Sequence, residues 1–251
     1  MKYKLILSFF FIAMLTWLIP GDLLAGRPLT VKVDKGEAVV SHLEGEVQVL
    51  PQGKETWRIL REKANLWGGD EIVVGSNSRL EITLAGDSRL RFAEETHLHL
   101  ERAGAGKSAD VKVHLVVGRT WVKVSKTMGL KRKFEISCDN AVTGVRGTIY
   151  RLNVHRDASA LVRVYEGEIS VTGATKAMET ETTLGPPSKI TGPHKITGPH
   201  KVSREEWTMI IRSMQQVYIR ADGSADKPQA FSAEEDRDAW VDWNRSRDRV
   251  L

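Results

Sequence analysis

The chain has 251 residues, a single cysteine and a formal net charge of +5, so no intrachain disulfide is available and the fold must be held by its core. So small a surplus of positive charge suits a solvated surface better than a dedicated polyanion-binding face. The length is enough for one sizeable domain with an appendage.

Lys2 and Lys4 precede an apolar run from Leu5 to Ile19, which Pro20-Gly21 ends. A basic start, a short apolar stretch and a small residue at Ala25 are the pattern of an export signal. The expectation is a signal peptide over residues 1–25, removed before Gly26, and a periplasmic or secreted remainder. Leu23 stands where a small residue is usual, so an uncleaved segment holding the chain to a membrane is the alternative. A partner outside the cytoplasm is not nucleic acid; an envelope protein or polymer is the expected class.

From Thr30 to Val171 the apolar residues alternate with polar ones, as in Gly45 to Leu50, Arg79 to Leu84, Val111 to Val117 and Ala160 to Tyr165. This period of two predicts half-buried strands. Glycine beside a polar residue marks the turns, at Gly69-Asp70, Gly118-Arg119 and Gly167-Glu168 among others. A mainly β domain over residues 26–171 follows, a sandwich, roll or short solenoid. Residues 172–202 lose the alternation and carry Lys-Ile-Thr-Gly-Pro-His twice, ending at His194 and His200, which predicts an extended connector. Residues 203–251 are expected to form a small helical extension. Ser203 and Glu206 fit a capping box, and Trp207, Ile210, Ile211, Met214, Val217 and Tyr218 fit one helical stripe to Ile219. Ser232 and Glu235 suggest a second helix, anchored by Trp240 and Trp243.

With the strands placed, the chain resembles the FecR-type sensor domain from about His42 to Val171. The most specific stretch runs from Phe134 to Tyr150 and contains Ala141, Val145, Arg146, Gly147 and Thr148. Gly69-Asp70 before an apolar strand and Gly167-Glu168 within the closing strands are similar to the family's other turns. The resemblance implies a domain that receives a signal outside the cytoplasm. The family's best-known members also have a cytoplasmic part that controls a sigma factor. Only Met1 to Lys4 precede the apolar run here, so the expectation is the sensing or docking half alone.

Gly69, Asp70, Gly118, Ala141, Val145, Gly147, Thr148 and Gly167 are expected to be structural. Arg146, Trp207, Trp240 and Trp243 are candidate contacts for a ligand or partner. His97-Leu98-His99 has metal-ligand spacing on one strand face but no third ligand in sequence, and His194 and His200 recur only with their hexapeptide, so no metal or cofactor is expected. Gly104 to Ser108 lacks the earlier glycine of a phosphate loop, and His155-Arg156-Asp157 lacks the rest of a kinase, which leaves two turns. Cys138, flanked by alternating Phe134 and Ile136, is expected to be a buried, inert thiol. No catalytic constellation stands out. The expected function is a non-enzymatic envelope binding, sensing or scaffolding protein, with an envelope carbohydrate- or peptide-acting hydrolase or lyase as the alternative.

Overall fold

Alternating sequence becomes strand almost throughout the computed structural model, which describes residues 38–84, 87–103, 110–125, 133–145, 147–173 and 207–249. These lie in one of two compact units, Asp34–Leu251. The expected signal segment, the loop at Gly104 to Ser108, Arg146, the histidine-bearing hexapeptides and the Ser203–Glu206 box fall outside the described residues.

Two sheets share one long strand. The first runs, in spatial order, β4 (Asn65–Leu66), β1 (Ala38–Glu44), β6 (Arg79–Thr83), β7 (Arg89–Phe92), β9 (Val111–Lys123), β12 (Ile149–Val154), β13 (Ala160–Glu166), β16 (Gln215–Ile219) and β17 (Gln229–Ala230). The second runs β3 (Arg58–Ile59), β2 (Val47–Leu50), β5 (Asp70–Val74), β8 (Thr96–Ala103), the first half of β9, β10 (Phe134–Cys138), β11 (Ala141–Val145), β14 (Glu168–Gly173) and β15 (Thr208–Arg212). Among the described residues every pairing is antiparallel except β9 with β10.

The strand β9 changes sheets at Gly118. Its N-terminal half pairs with β8 and β10, and its C-terminal half with β7 and β12. Gly118 has φ 113°, and a Cβ there would lie 2.6 Å from the Thr96 Cα, so both the backbone angle and the close approach require glycine. The inward faces of the two sheets make one core. Val40, Leu80, Phe92, Val122, Leu152 and Val162 from the first meet Ile72, Val74, Leu98, Leu115, Ile136 and Val171 from the second. Burying each such side chain is worth roughly 1.5–3 kcal/mol. Mainly β, with a C-terminal helix, is therefore the fold class observed.

The family-like residues sit at joints of this frame. Asp70 is buried, and its two carboxylate oxygens accept the backbone N–H groups of Trp67 (2.8 Å) and Gln52 (3.2 Å), tying the turn at Gly69 to the end of β2. Ala141 and Val145 bound β11, Thr148 is buried, and Gly167 links β13 to β14. Gly147 has φ 62°, a left-handed conformation that glycine adopts without penalty. Cys138 is buried as expected, and burial pushes its thiol pKa up, away from reactivity.

The expected helix to Ile219 is a correction. Residues 208–219 form a hairpin, β15 and β16, joined at Ser213-Met214 with Met214 at φ 60°. β15 adds to β14, and β16 adds to β13, so the hairpin supplies one edge strand to each sheet. The apolar neighbours Ile210-Ile211 and Val217-Tyr218 satisfy a helical stripe, but they also satisfy two alternating strands. Ile211, Val217 and Ile219 point into the core, while Ile210 and Tyr218 are exposed. The β-branched content of the segment favours the strands. The Ser232–Glu235 box does form: the Glu235 N–H donates to Ser232 Oγ and the Ser232 N–H to Glu235 Oε2, each at 3.1 Å. It caps only a short turn. The helix α1 starts later, at Ala239–Arg249, where Asp238 Oδ1 accepts the Val241 N–H at 2.7 Å.

Candidate functional site

The outward face of an antiparallel sheet normally meets water. Here the strand registers align His42, Glu81, Arg91, Trp121, Arg151, Arg163 and Gln216 in one transverse row across β1, β6, β7, β9, β12, β13 and β16. Residues 231–249 lie over that row and bury its middle. Arg91 is 0% exposed and Glu81 3%.

Charges this deep must be paired. Arg91 Nε donates to Glu81 Oε2 at 2.5 Å, and its Nη1 donates to Asp248 Oδ1 at 2.8 Å. Arg247 reaches Glu81 from α1 at 3.2 and 3.3 Å, and the Ser41 hydroxyl donates to it at 2.8 Å. Burial alone would raise the Glu81 pKa, but the hydrogen bonds from Arg247, Arg91 and Ser41 hold it at about 2. Farther along the row Asp236 takes hydrogen bonds from Arg151, Arg163 and the Tyr165 hydroxyl. Burial is the chief reason that the Tyr165 pKa is raised and that of Arg151 lowered. Asp248 also accepts the Trp121 indole N–H at 2.9 Å. A small second core forms beneath the helix, where Trp121 stacks on Tyr165 at 4.5 Å and packs in one cluster with Trp240 and Val241.

This arrangement places the sequence candidates. Trp240 is buried against Trp121 of the first sheet, and Trp243 stacks on it at 5.3 Å with the guanidiniums of Arg79 and Arg247 each 5.0 Å from its ring. Trp207 lies just before β15, packed on Gly173, and its indole N–H donates to the Gly223 carbonyl at 3.0 Å. Glu81, Arg91, Arg151 and Asp236 were not singled out by sequence.

Where the first turn of α1 leaves the sheet, a cleft of about 900 Å³ opens. Its lining includes Glu94, Arg119, Asn153, Arg156, Asp238 and Trp240. Arg119 pairs with Asp238 at 2.5 Å. Burial would raise the Asp238 pKa, yet the Val241 N–H and the Arg119 charge hold it below the usual carboxylate range. Three atoms of this lining, the acceptor Asn153 Oδ1 and the donors Trp240 Nε1 and Arg119 Nε, are buried with no hydrogen-bond partner among the described residues. Unmet polar atoms of this kind cost about 1–3 kcal/mol each, which a ligand with the complementary groups would recover. The neighbouring His155-Arg156-Asp157 is a turn, in which Asp157 Oδ1 accepts the Ser159 N–H at 2.9 Å and its hydroxyl at 2.7 Å. His97 and His99 project from β8 on the other sheet, next to Glu71 of β5.

Residues 70–170 match the family described as FecR protein. No curated protein matches the chain. Two crystal structures of a "putative anti-sigma factor" from Parabacteroides distasonis ATCC 8503 are similar to it, at 13% and 14% identity with TM-scores of 0.45 and 0.46. Each alignment covers 65% of this chain and 61% of that one, so the chain spans less than two thirds of that protein.

Proposed function

Because residues 70–170 match the FecR protein family, we propose that the chain is a non-catalytic sensing protein of the cell envelope that binds a polypeptide segment in the cleft beside α1. The unmet pair Asn153 Oδ1 and Trp240 Nε1 carries this reading. A peptide unit offers one N–H donor and one carbonyl acceptor, the two complements these atoms lack. The mixed charge of the rim, with Glu94, Glu95, Arg119 and Arg156, adds selectivity rather than net attraction for one sign. The basic and apolar pattern of residues 1–25 supports a location outside the cytoplasm. Asp238, paired with Arg119 and held below the usual carboxylate range, is unsuited to act as a general acid in this cleft.

One experiment reads both the site and the location. A photoreactive residue replaces Arg156, at the cleft rim with its side chain 87% exposed, in living cells. The expected product is an adduct with another polypeptide in the envelope fraction, in which this chain begins near Gly26. Asn153→Ala should abolish the adduct, and the same probe at Ile59, on β3 of the other sheet, should not form it. Equal adducts from both positions, or adducts that survive Asn153→Ala, defeat the cleft as the binding site. Recovery from the cytoplasmic fraction with residues 1–25 intact defeats the location.

A further inference from the structure

We propose that Glu71, His97 and His99 bind one divalent transition-metal ion of the zinc type on the outer face of the second sheet, independently of the cleft. The sheet brings together what the sequence separates. β5 and β8 pair so that Glu71 stands opposite His99 and Val73 opposite His97. Alternation then puts Ile72, Leu98 and Leu100 into the core and all three polar side chains outside. Glu71 Oε1 lies 2.6 Å from His97 Nε2, and Glu71 Oε2 lies 4.0 Å from His99 Nδ1. One ligand atom from each of the three side chains lies within 4.8 Å of the others.

Zinc holds imidazole nitrogen and carboxylate oxygen at about 2.0–2.2 Å, which for tetrahedral geometry separates ligand atoms by roughly 3–3.5 Å. The present spacings bracket that value, and the side chains that must adjust are 25–41% exposed and so free to turn. The backbone beneath them is held by strand pairing, which makes the site preorganised. A bulge against β9 falls between His97 and Leu98, the kind of irregularity that re-aims a side chain. A simple ion pair accounts for Glu71 with His97. His99 also turns a nitrogen toward the same carboxylate, so one carboxylate faces both imidazoles. Three protein ligands leave at least one position for water or for a group from another molecule.

Two other histidine sites lack this convergence. His42 meets Glu44 through Nε2 at 2.9 Å and Glu62 through Nδ1 at 3.4 Å, so the carboxylates grip opposite ring nitrogens and cannot share an ion. His114, with its ring centroid 6.3 Å from that of His99, directs Nδ1 to Ser137 Oγ at 3.2 Å and Nε2 to Asp139 at 3.4 Å.

The test is calorimetric titration of the full chain with Zn²⁺, paired with Cu²⁺ electron paramagnetic resonance. The parent should bind one equivalent. His97→Ala, His99→Ala and Glu71→Gln should each weaken binding about tenfold or more. The copper spectrum should show two nitrogen ligands in the parent and one after His99→Ala. His42→Ala and the double variant His194→Ala, His200→Ala should bind as the parent does. Circular dichroism checks that each variant is folded, and His99→Gln replaces any that is not. No saturable binding by the parent, parent-like binding by the three ligand variants, or loss only on replacing His194 and His200 overturns the site.

Discussion

Glu81→Gln separates a buried charge network from a mere surface contact. Glu81 is held at about 2 from an ordinary 4.5, because burial, which opposes ionisation, is outweighed by hydrogen bonds from Arg247, Arg91 and Ser41. A depressed carboxylate pKa stabilises the folded state above the unfolded pKa, and that contribution fades as pH falls through 4.5 toward 2. At about 1.4 kcal/mol per pKa unit the full effect is on the order of 3 kcal/mol at neutral pH. The side chain is almost wholly buried, so solvent screening takes little from it. Gln keeps the shape but removes the charge that faces the fully buried Arg91, and breaking such a pair from one side costs about 3–5 kcal/mol. Urea unfolding at pH 7 should therefore show a loss of about 3 kcal/mol, a large part of the roughly 5–15 kcal/mol of a typical domain. Between pH 4.5 and 2.5 the parent should weaken more steeply than the variant. If the variant lies within about 0.5 kcal/mol of the parent at pH 7, or its pH profile runs parallel, the segment 231–249 does not depend on this charge.

Gly147→Val should destabilise the β-domain by about 1–3 kcal/mol from backbone strain alone, since valine resists the φ of 62° found there; thermal unfolding at the parent's temperature would show that the turn tolerates a branched residue. Trp207→Ala should cost about 2–3 kcal/mol in chemical denaturation, less than the roughly 3–5 kcal/mol of a fully buried tryptophan because the indole is only half-buried; a loss under about 1 kcal/mol would mean that it does not pin the β15–β16 hairpin.

Between Ala38 and Gly173 the strands were legible because alternation and turn chemistry agree there. Gly118 and Gly167 mark real joints, and the buried Asp70 is the turn acid that its place after Gly69 suggests. The tail was less legible for a physical reason. A run with apolar residues at 207, 210, 211, 214, 217 and 218 fits a helix, and two short strands with a turn at 213–214 fit the same residues. What decides between them is long-range. The open edges of β13 and β14 each accept a strand, and only the hairpin satisfies both.

The site shows the same limit more sharply. Glu81, Arg91 and Arg151 read in sequence as ordinary solvent-facing positions of alternating strands, and by their own strands alone they would be. They become interior only because Asp236, Asn244, Arg247 and Asp248, some 70 to 170 residues away, lie across them. Alternation assigns a residue to a face of its strand but does not say what covers that face. The histidine pair carries the same lesson in reverse. His97 and His99 have ligand spacing in sequence, and the missing carboxylate, Glu71, comes from the neighbouring strand, where only the β5–β8 register could place it. Faces are local and legible, whereas coverage and convergence belong to the pairing of distant strands.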